Sequence, residues 1–331
     1  MPDTTAAYTH PLVEVSDLHV HFVTREATVH AVNGVSFSAR RGEVLCILGE
    51  SGSGKTVTLR TLLRLLPSRG TRIEGRVLVD GRDVLAMPAK ELADLRGGLA
   101  AMVFQEPMTA LDPVYTIGHQ IGETVCRHTG CDRRAARARA IKLLELVRVP
   151  SAARRLDSYP HELSGGLRQR AMIAMALSCD PRLLLADEPT TALDATVQVQ
   201  VLILLRRLQR ELGMGMIFVT HDLGVAAEIA DTIAVMYAGR IVEIGPVAEV
   251  LRAPLHPYTA GLLASTVHGQ PRDRDIDAIP GSPPDMRQLS LGCSFFPRCS
   301  RRFAGCQTTV PEPRFPSPGR MAACLALPNS V

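Results

Sequence analysis

The sequence predicts an α/β fold with a mainly parallel core sheet, an antiparallel β subdomain, a helical subdomain and a small irregular C-terminal extension. Three short apolar runs predict buried core strands, at Val44–Leu48, 183–186 and 216–219. Helical periodicity separates these runs, and strands that alternate with helices form parallel sheets. With 331 residues, the chain is long enough for one such domain and an extension.

The antiparallel subdomain is predicted from the N-terminal part of the chain. Residues 13–38 alternate apolar and polar side chains over short stretches, which is typical of half-buried strands. Residues 76–81 indicate a further strand that ends in a turn at Gly81. We therefore expect an antiparallel sheet layered on the core.

A glycine-rich loop follows the first predicted core strand. It reads Gly49-Glu50-Ser51-Gly52-Ser53-Gly54-Lys55-Thr56 and fits the pattern G-x-x-x-x-G-K-[ST]. A helix is predicted after it from the spacing of Leu59, Leu62, Leu63 and Leu66. A strand, loop and helix in this order direct backbone N–H groups at an anion. We therefore expect Lys55 to contact the β- and γ-phosphates of a nucleotide, and Thr56 to ligate Mg²⁺.

Two adjacent carboxylates end the second predicted core strand. Asp187 and Glu188 follow the apolar run 183–186, so both are expected at the edge of the sheet. Asp187 is predicted to support Mg²⁺, and Glu188 to polarise the attacking water as a general base. An isolated Asp-Glu pair before Pro189 would be an ordinary acidic strand end, but the phosphate loop upstream favours the catalytic interpretation.

Two further polar residues follow predicted strands. His221 comes after the third core strand and is predicted to donate a hydrogen bond to the γ-phosphate. Gln105 follows an apolar run at 102–104 and is predicted to bind Mg²⁺ or the lytic water through its side-chain carbonyl. Either residue alone would say little, because a lone histidine or glutamine is usually structural.

The helical region contains a second segment with small residues at a helix start. Residues 118–149 are helical in pattern, and the later run Leu163-Ser164-Gly165-Gly166 combines a hydroxyl with two glycines. Such a segment also suits a phosphate. The two segments together suggest a nucleotide held from two sides.

Taken in order, these segments resemble the ATP-binding cassette family, the ATPase subunits of ABC transporters, over roughly residues 13–251. The resemblance rests on the phosphate loop, Gln105, Leu163-Ser164-Gly165-Gly166, Asp187-Glu188, Thr191-Ala192-Leu193-Asp194 and His221. It implies the P-loop NTPase fold of an ABC cassette and the hydrolysis of ATP with Mg²⁺. Phe22 looks like the aromatic residue that stacks on adenine in this family, with Tyr8 and His30 as alternatives.

In the family that this chain resembles, two ATPase subunits dimerise head to tail. The resemblance implies that Ser164, Gly165 and Gly166 contact the ATP held by the phosphate loop of the partner subunit. It also implies that Asp194 helps to couple the two sites. The phosphate loop and the segment at Ser164 would then serve two different ATP molecules.

A narrower resemblance points to the ATPase subunits of dipeptide and oligopeptide importers. It is carried by residues 104–113, 159–166, 235–239 and 256–259. That subfamily includes subunits for nickel and other non-peptide solutes, which are the alternative cargo. The resemblance implies two membrane-spanning permease subunits, an extracytoplasmic solute-binding protein and a second ATPase subunit, which is either a paralogue or a second copy.

Composition and charge limit the remaining classes of protein. The net charge is +4, and no apolar run approaches the roughly 20 residues that span a bilayer. The polar N-terminal stretch has no signal-peptide core. We therefore expect a protein that stays in the cytosol and binds no nucleic acid. The permease partners that the resemblance implies would place it on the cytoplasmic face of the inner membrane as a peripheral protein. A soluble ABC ATPase acting on DNA or ribosomes is the rival class, but the coiled coil, zinc finger or second cassette that it predicts is missing from the sequence.

We predict a nucleotide-binding domain at residues 1–255, with a helical subdomain near 107–180, and a C-terminal extension at residues 256–331. Four cysteines cluster in this extension. They are Cys293, Cys299, Cys306 and Cys324, with the spacing C-x5-C-x6-C-x17-C. Four thiolates suit Zn²⁺ or an iron–sulfur cluster, and the lack of close C-x2-C pairs counts against zinc. Some importer ATPases that this chain resembles carry a [4Fe–4S] cluster in this region. We therefore expect that cluster, with Zn²⁺ as the alternative.

Overall fold

The computed structural model describes residues 10–191, 193–265 and 278–327. These residues divide into two compact units. Unit 1 contains residues 10–12, 40–42, 86–191 and 193–218, and unit 2 contains residues 13–39, 43–85, 219–265 and 278–327. The predicted boundary between residues 255 and 256, and the predicted helical subdomain near 107–180, stay predictions.

The strands of the described chain are short except for the first two. In chain order they are β1 (Val13–Val23), β2 (Thr28–Ala39), β3 (Val44–Leu48), β4 (Thr71–Val79), β5 (Arg82–Asp83), β6 (Ala100–Val103), β7 (Leu183–Asp187), β8 (Gly215–Thr220), β9 (Thr232–Tyr237), β10 (Arg240–Pro246), β11 (Arg314–Ser317) and β12 (Arg320–Ala322).

The longest helices belong to unit 1. In chain order the helices are α1 (Lys55–Thr61), α2 (Ala89–Asp94), α3 (Pro107–Ala110), α4 (Ile117–Thr129), α5 (Arg133–Leu146), α6 (Ala152–Arg155), α7 (Gly165–Ala176), α8 (Ala195–Leu212), α9 (Leu223–Ile229), α10 (Val247–Arg252), α11 (Pro257–Ala264) and α12 (Gly305–Thr308). Within the described ranges, none of them combines the length and the apolar character that crossing a bilayer requires.

The N-terminal strands of unit 2 form the predicted antiparallel sheet, in the order β2-β1-β4-β5. Val13 lies opposite Ala39 on β2 and opposite Val79 on β4. Alternate side chains of β1 are buried, as the apolar pattern of residues 13–38 predicts. The alternation breaks at Asp17, which has a φ of 48° and interrupts the register of both pairings.

A second sheet in unit 2 contains the strand that leads into the phosphate loop. Its order is β11-β12-β10-β9-β3, and β3 is parallel to β9. The C-terminal extension was expected to be irregular, but β11 and β12 pair with each other and β12 pairs with β10, with Ala322 opposite Glu243. The buried pair between Arg320 and Glu243, at 2.6 Å, fixes this register.

Unit 1 combines parallel strands with helices. β6 is parallel to β7, and the order of its strands is β8-β7-β6. Residues 118–149 were predicted as helical and form two helices, because Gly130 adopts a left-handed conformation at the end of α4. Asp132 then caps α5 by accepting a hydrogen bond from the backbone N–H of Ala135 at 2.8 Å.

The helix after the phosphate loop is shorter than the leucine spacing predicts. Leu66 continues the apolar pattern, but α1 ends at Thr61. The chain turns at Arg64, which has a φ of 49°. The Arg64 guanidinium then donates to the carbonyls of Val84 and Leu85, at 3.3 Å and 3.2 Å. These hydrogen bonds from the Arg64 side chain to backbone carbonyls stabilise the turn in place of another helical turn.

Candidate functional site

The phosphate loop of unit 2 requires glycine at both ends. A Cβ atom at Gly49 would collide with the carbonyl oxygen of Met236 on β9. A Cβ atom at Gly54 would collide with the carbonyl oxygen of Ala31 on β2, and Gly54 has a φ of 101°, which favours glycine. The loop therefore packs directly on the backbone of two neighbouring strands.

Lys55 is buried at the start of α1 and is 4% exposed. Its Nζ atom donates hydrogen bonds to the carbonyl oxygens of Gly49, at 2.8 Å, and Glu50, at 2.9 Å. The hydroxyl of Ser53 is buried without a hydrogen-bond partner among the described residues. A buried ammonium and an unsatisfied hydroxyl in one glycine-rich loop fit an anion such as a triphosphate. Thr56 follows Lys55 and is half-buried.

The two predicted acidic residues of unit 1 have different environments. Asp187 ends β7 and is 1% exposed. Glu188 is half-buried and has a φ of 44°, a conformation that non-glycine residues adopt only under local constraint. Its Oε2 atom accepts hydrogen bonds from the Thr191 hydroxyl at 3.0 Å and from Nε2 of Gln105 at 3.5 Å. The structure thus places Gln105 next to the predicted base, and it shows Thr191 as a second hydrogen-bond donor to that carboxylate.

The segment at Ser164 lies at the start of α7, as predicted. Ser164 and Gly165 are exposed, and the Ser164 side chain makes no capping hydrogen bond to the helix. Gly166 packs against Val197 so closely that an added Cβ would lie 2.9 Å from its Cγ1. Asp194 caps α8 by accepting a hydrogen bond from the Val197 N–H at 3.0 Å. The structure therefore brings the predicted signature segment next to the segment of Asp194.

The predicted adenine and γ-phosphate contacts also lie in unit 2. Phe22 is half-buried on β1, opposite Val29 and Thr71. His21 and His30 approach each other with their Nδ1 atoms 3.0 Å apart, and burial together with the nearby His30 lowers the pKa of His21. His221 is exposed directly after β8. Tyr8, the other alternative for adenine, lies outside the described residues.

The four C-terminal cysteines lie near one another in unit 2. Cys306 and Cys324 are buried, and burial is the main cause that raises the pKa of Cys293, with the other three thiols adding to it. Three of the sulfurs accept a backbone N–H two residues further on, from Phe295 to Cys293, from Arg301 to Cys299 and from Ala326 to Cys324. No group of three or more metal-binding side chains in the described ranges is arranged to hold a metal ion.

Sequence reasoning missed two residues that contact the phosphate loop. Arg298 pairs with the Glu50 carboxylate at 2.7 Å, and the Tyr258 hydroxyl accepts a hydrogen bond from the Glu50 backbone N–H at 3.0 Å. Both lie in the C-terminal part of unit 2. No local pattern marks a residue that acts on a loop about 250 positions away, as Arg298 does on Glu50.

Two family models match the chain. The model described as "ABC transporter" matches residues 32–191, which include the phosphate loop, Gln105, Ser164 and Glu188. The model described as "Oligopeptide/dipeptide transporter, C-terminal region" matches residues 242–306, which include Tyr258 and Arg298.

Curated proteins resemble nearly the whole chain. A protein named putative peptide import ATP-binding protein, from Brucella melitensis, is 50% identical over 91% of this chain and 93% of its own length. The oligopeptide transport ATP-binding protein OppD of Salmonella typhimurium is 46% identical over 95% of this chain and 93% of its own. The dipeptide transport ATP-binding protein DppD of Bacillus subtilis is 44% identical over 95% of this chain and 94% of its own length.

Solved structures share the fold. The dimeric structure of the ATP-binding cassette MJ0796 in a post-hydrolysis state, bound to ADP and Pi, has a TM-score of 0.64 and 28% identity. The match covers 71% of this chain and 98% of the cassette.

Proposed function

Because this chain belongs to the ABC transporter family as an ATP-hydrolysing subunit, we propose that it drives the uptake of dipeptides or oligopeptides. The main support for peptides as the transported solute is the match of residues 242–306 to the C-terminal region of oligopeptide and dipeptide transporters. Relatives that are 44% to 50% identical are named for the same cargo.

We propose that the phosphate loop binds ATP through its backbone N–H groups, Ser53 and Lys55. The Lys55 ammonium would exchange the carbonyls of Gly49 and Glu50 for phosphate oxygens, which are stronger acceptors because they are charged. The Thr56 hydroxyl would be a ligand of Mg²⁺, which suits oxygen ligands of this kind. The role of the Asp187 carboxylate in supporting Mg²⁺ stays a prediction from the sequence. Bound Mg²⁺ neutralises the charge that develops on the phosphates.

For hydrolysis we propose Glu188 as the general base. A carboxylate that accepts hydrogen bonds from Thr191 and Gln105 is held in one orientation, so it can take a proton from an attacking water without first reorganising. The Gln105 amide uses its N–H₂ group on Glu188, which leaves its carbonyl for that water or for Mg²⁺. His221 would donate a hydrogen bond to the γ-phosphate, and Phe22 would stack on adenine.

The exposed Ser164 and Gly165 support a site that is completed by a second subunit. The Ser164 side chain makes no capping hydrogen bond to α7, and a Cβ atom added at Gly165 would meet no other atom within 4 Å. We propose that they contact the ATP of a second ATPase subunit in a head-to-tail dimer, with Asp194 next to them coupling the two sites. One chain then supplies two half-sites and hydrolyses ATP slowly by itself.

Exposed apolar residues after Gln105 support the docking of a permease. Met108, Val114 and Tyr115 are 42%, 67% and 48% exposed within one short stretch of unit 1. Neighbouring apolar side chains of this size on a surface mark a site of protein contact. We propose that cytoplasmic helices of the permease dock here, in a transporter with two permease subunits, which would hold the protein on the cytoplasmic face of the membrane. An extracytoplasmic binding protein would deliver the peptide.

We propose that Cys293, Cys299, Cys306 and Cys324 bind a [4Fe–4S] cluster. Backbone N–H groups that point at sulfur stabilise thiolates and are a common means of tuning such clusters. Iron and sulfide analysis of anaerobically purified protein tests the proposal, and zinc in place of both would contradict it.

The test of the proposed function is uptake by intact cells. A strain lacking this chain should lose the uptake of labelled di- and tripeptides and regain it with the wild-type chain, but not with Glu188→Gln. Normal peptide uptake together with a loss of nickel uptake would contradict the peptide assignment. Co-purification with nucleic acid or ribosomes instead of permeases would contradict transport itself.

A further inference from the structure

Glu50 is the second residue of the phosphate loop. The C-terminal segment of unit 2 makes hydrogen bonds both to its side chain and to its backbone. Arg298 donates two hydrogen bonds to the carboxylate, from Nη1 to Oε2 at 2.7 Å and from Nη2 to Oε1 at 3.0 Å. The Tyr258 hydroxyl accepts a hydrogen bond from the Glu50 N–H at 3.0 Å. The Glu50 carbonyl accepts one from Lys55 at 2.9 Å. Glu50 therefore connects the C-terminal segment to the lysine of the loop.

Arg298 is itself held firmly. Its Nε atom donates to the carbonyl of Pro280 at 2.9 Å, and its guanidinium lies 5.8 Å from the centre of the Tyr237 ring. Its side chain is 5% exposed, and the hydrogen bonds to Glu50 raise the pKa of Arg298 above its ordinary value. A planar guanidinium with this many fixed contacts presents one geometry to a carboxylate. Glu50 consequently has little freedom to turn toward the loop.

The charge of Glu50 gives this pair a function beyond packing. A carboxylate beside an anion-binding loop repels a triphosphate, because like charges in a poorly hydrated site interact strongly. Pairing with Arg298 neutralises this charge, and the two hydrogen bonds fix the carboxylate in one place. The cleft beside Glu50 and Ser53 is lined by Pro283, Pro284 and Met286 of the same C-terminal segment, which limits the access of water that would screen the charge.

We propose that Arg298 is a positioning residue of the ATP site, so that the C-terminal segment sets the affinity of this subunit for ATP through Glu50. The proposal rests on the proposed function only in taking the phosphate loop as an ATP site. It adds a residue about 250 positions from that loop to the determinants of nucleotide binding.

The first test compares ATP binding by the full-length chain and three arginine variants. Arg298→Met should raise the dissociation constant for ATP by about tenfold or more, because a buried charged hydrogen bond is lost. Arg298→Lys should give an intermediate value, since it keeps the charge but loses the paired geometry. Arg320→Met is the matched control, because Arg320 is similarly buried (side chain 7% exposed) in the same segment but pairs with Glu243. It should lower the unfolding temperature and leave ATP affinity unchanged.

A double-mutant cycle with Glu50→Gln separates positioning from a general loss of structure. In the Glu50→Gln background, Arg298→Met should change ATP affinity by about twofold or less, because the pair it breaks is already gone. An equal effect in both backgrounds would show that Arg298 acts without Glu50 and would overturn the proposal, as would wild-type affinity of Arg298→Met. A wild-type chain that binds no ATP would instead refute the proposed function.

Discussion

The Thr191 hydroxyl donates a hydrogen bond to Oε2 of Glu188 at 3.0 Å. Glu188 has a left-handed backbone, so its side chain leaves the end of β7 in a direction that ordinary strand geometry does not provide. Thr191 also donates its backbone N–H to the carbonyl of Glu188, at 3.3 Å. One residue thus holds both the backbone and the carboxylate of the proposed base.

Thr191→Ala should lower the turnover number for ATP without weakening ATP binding. It removes one hydrogen bond that orients Glu188, worth about 1 kcal/mol, so turnover should fall by about fivefold. Thr191→Ser keeps the hydroxyl and is the control, which should stay close to wild type. Steady-state hydrolysis by the assembled transporter gives both parameters, and a higher KM with unchanged turnover would place Thr191 in binding instead.

Glu188→Gln should retain ATP binding and lose most hydrolysis. An amide has the shape of the carboxylate but cannot accept the proton of the attacking water, so turnover should fall by about 100-fold or more. The variant should also accumulate as an ATP-bound dimer, which size-exclusion chromatography with ATP can detect. Turnover near the wild-type value would show that another group is the base.

Lys55→Ala should act mainly on nucleotide binding. The change removes a buried ammonium and its charged hydrogen bonds, so ATP affinity should weaken by about 30-fold or more. Lys90→Ala is the matched control, because Lys90 is an exposed lysine outside the loop. Calorimetric titration of both variants measures the difference, and equal affinities would contradict the role of Lys55.

His256 should make the stability of the protein depend on pH below neutrality. Burial lowers the pKa of His256 from 6.5 to about 4 in the folded chain, where its Nδ1 atom accepts the Tyr258 N–H at 3.1 Å. Between these two values the unfolded chain binds the proton and the folded chain does not, so stability falls as pH falls below 6.5. The loss attributable to His256 should be about 2 kcal/mol at pH 5 compared with pH 7.5.

His256→Asn isolates this contribution. Asparagine keeps a side-chain acceptor at the start of α11 and does not titrate in this range. Urea unfolding at pH 5 and pH 7.5 should show a smaller difference in the free energy of unfolding for the variant than for wild type. The same difference in both proteins would mean that His256 does not titrate as described.

The sequence predicted the parts of the site that lie within single short segments. Lys55 was predicted from a glycine-rich loop between a strand and a helix, Asp187 from a strand end, and Ser164 from small residues at a helix start. The length of α1 was overestimated, since its end depends on the contact of Arg64 with residues 84 and 85. The strands β11 and β12 were missed because their pairing depends on Arg320 and Glu243, which lie far apart in the chain.

Glu50 shows why the remaining part of the site was not predicted. The loop motif requires nothing particular at this position, so the sequence offered no reason to look for a partner. Its partners Tyr258 and Arg298 lie in segments with their own local patterns, a helix start and a proline-rich stretch. Only the folded chain brings the three together.

The hydrogen bonds of Lys55 bear on how fast ATP can enter. The ammonium donates hydrogen bonds to the carbonyls of Gly49 and Glu50, so contacts within the loop hold its lysine in place. Binding of a nucleotide in the proposed way would exchange one set of oxygen acceptors for another. Association should therefore proceed at a rate set by diffusion and charge.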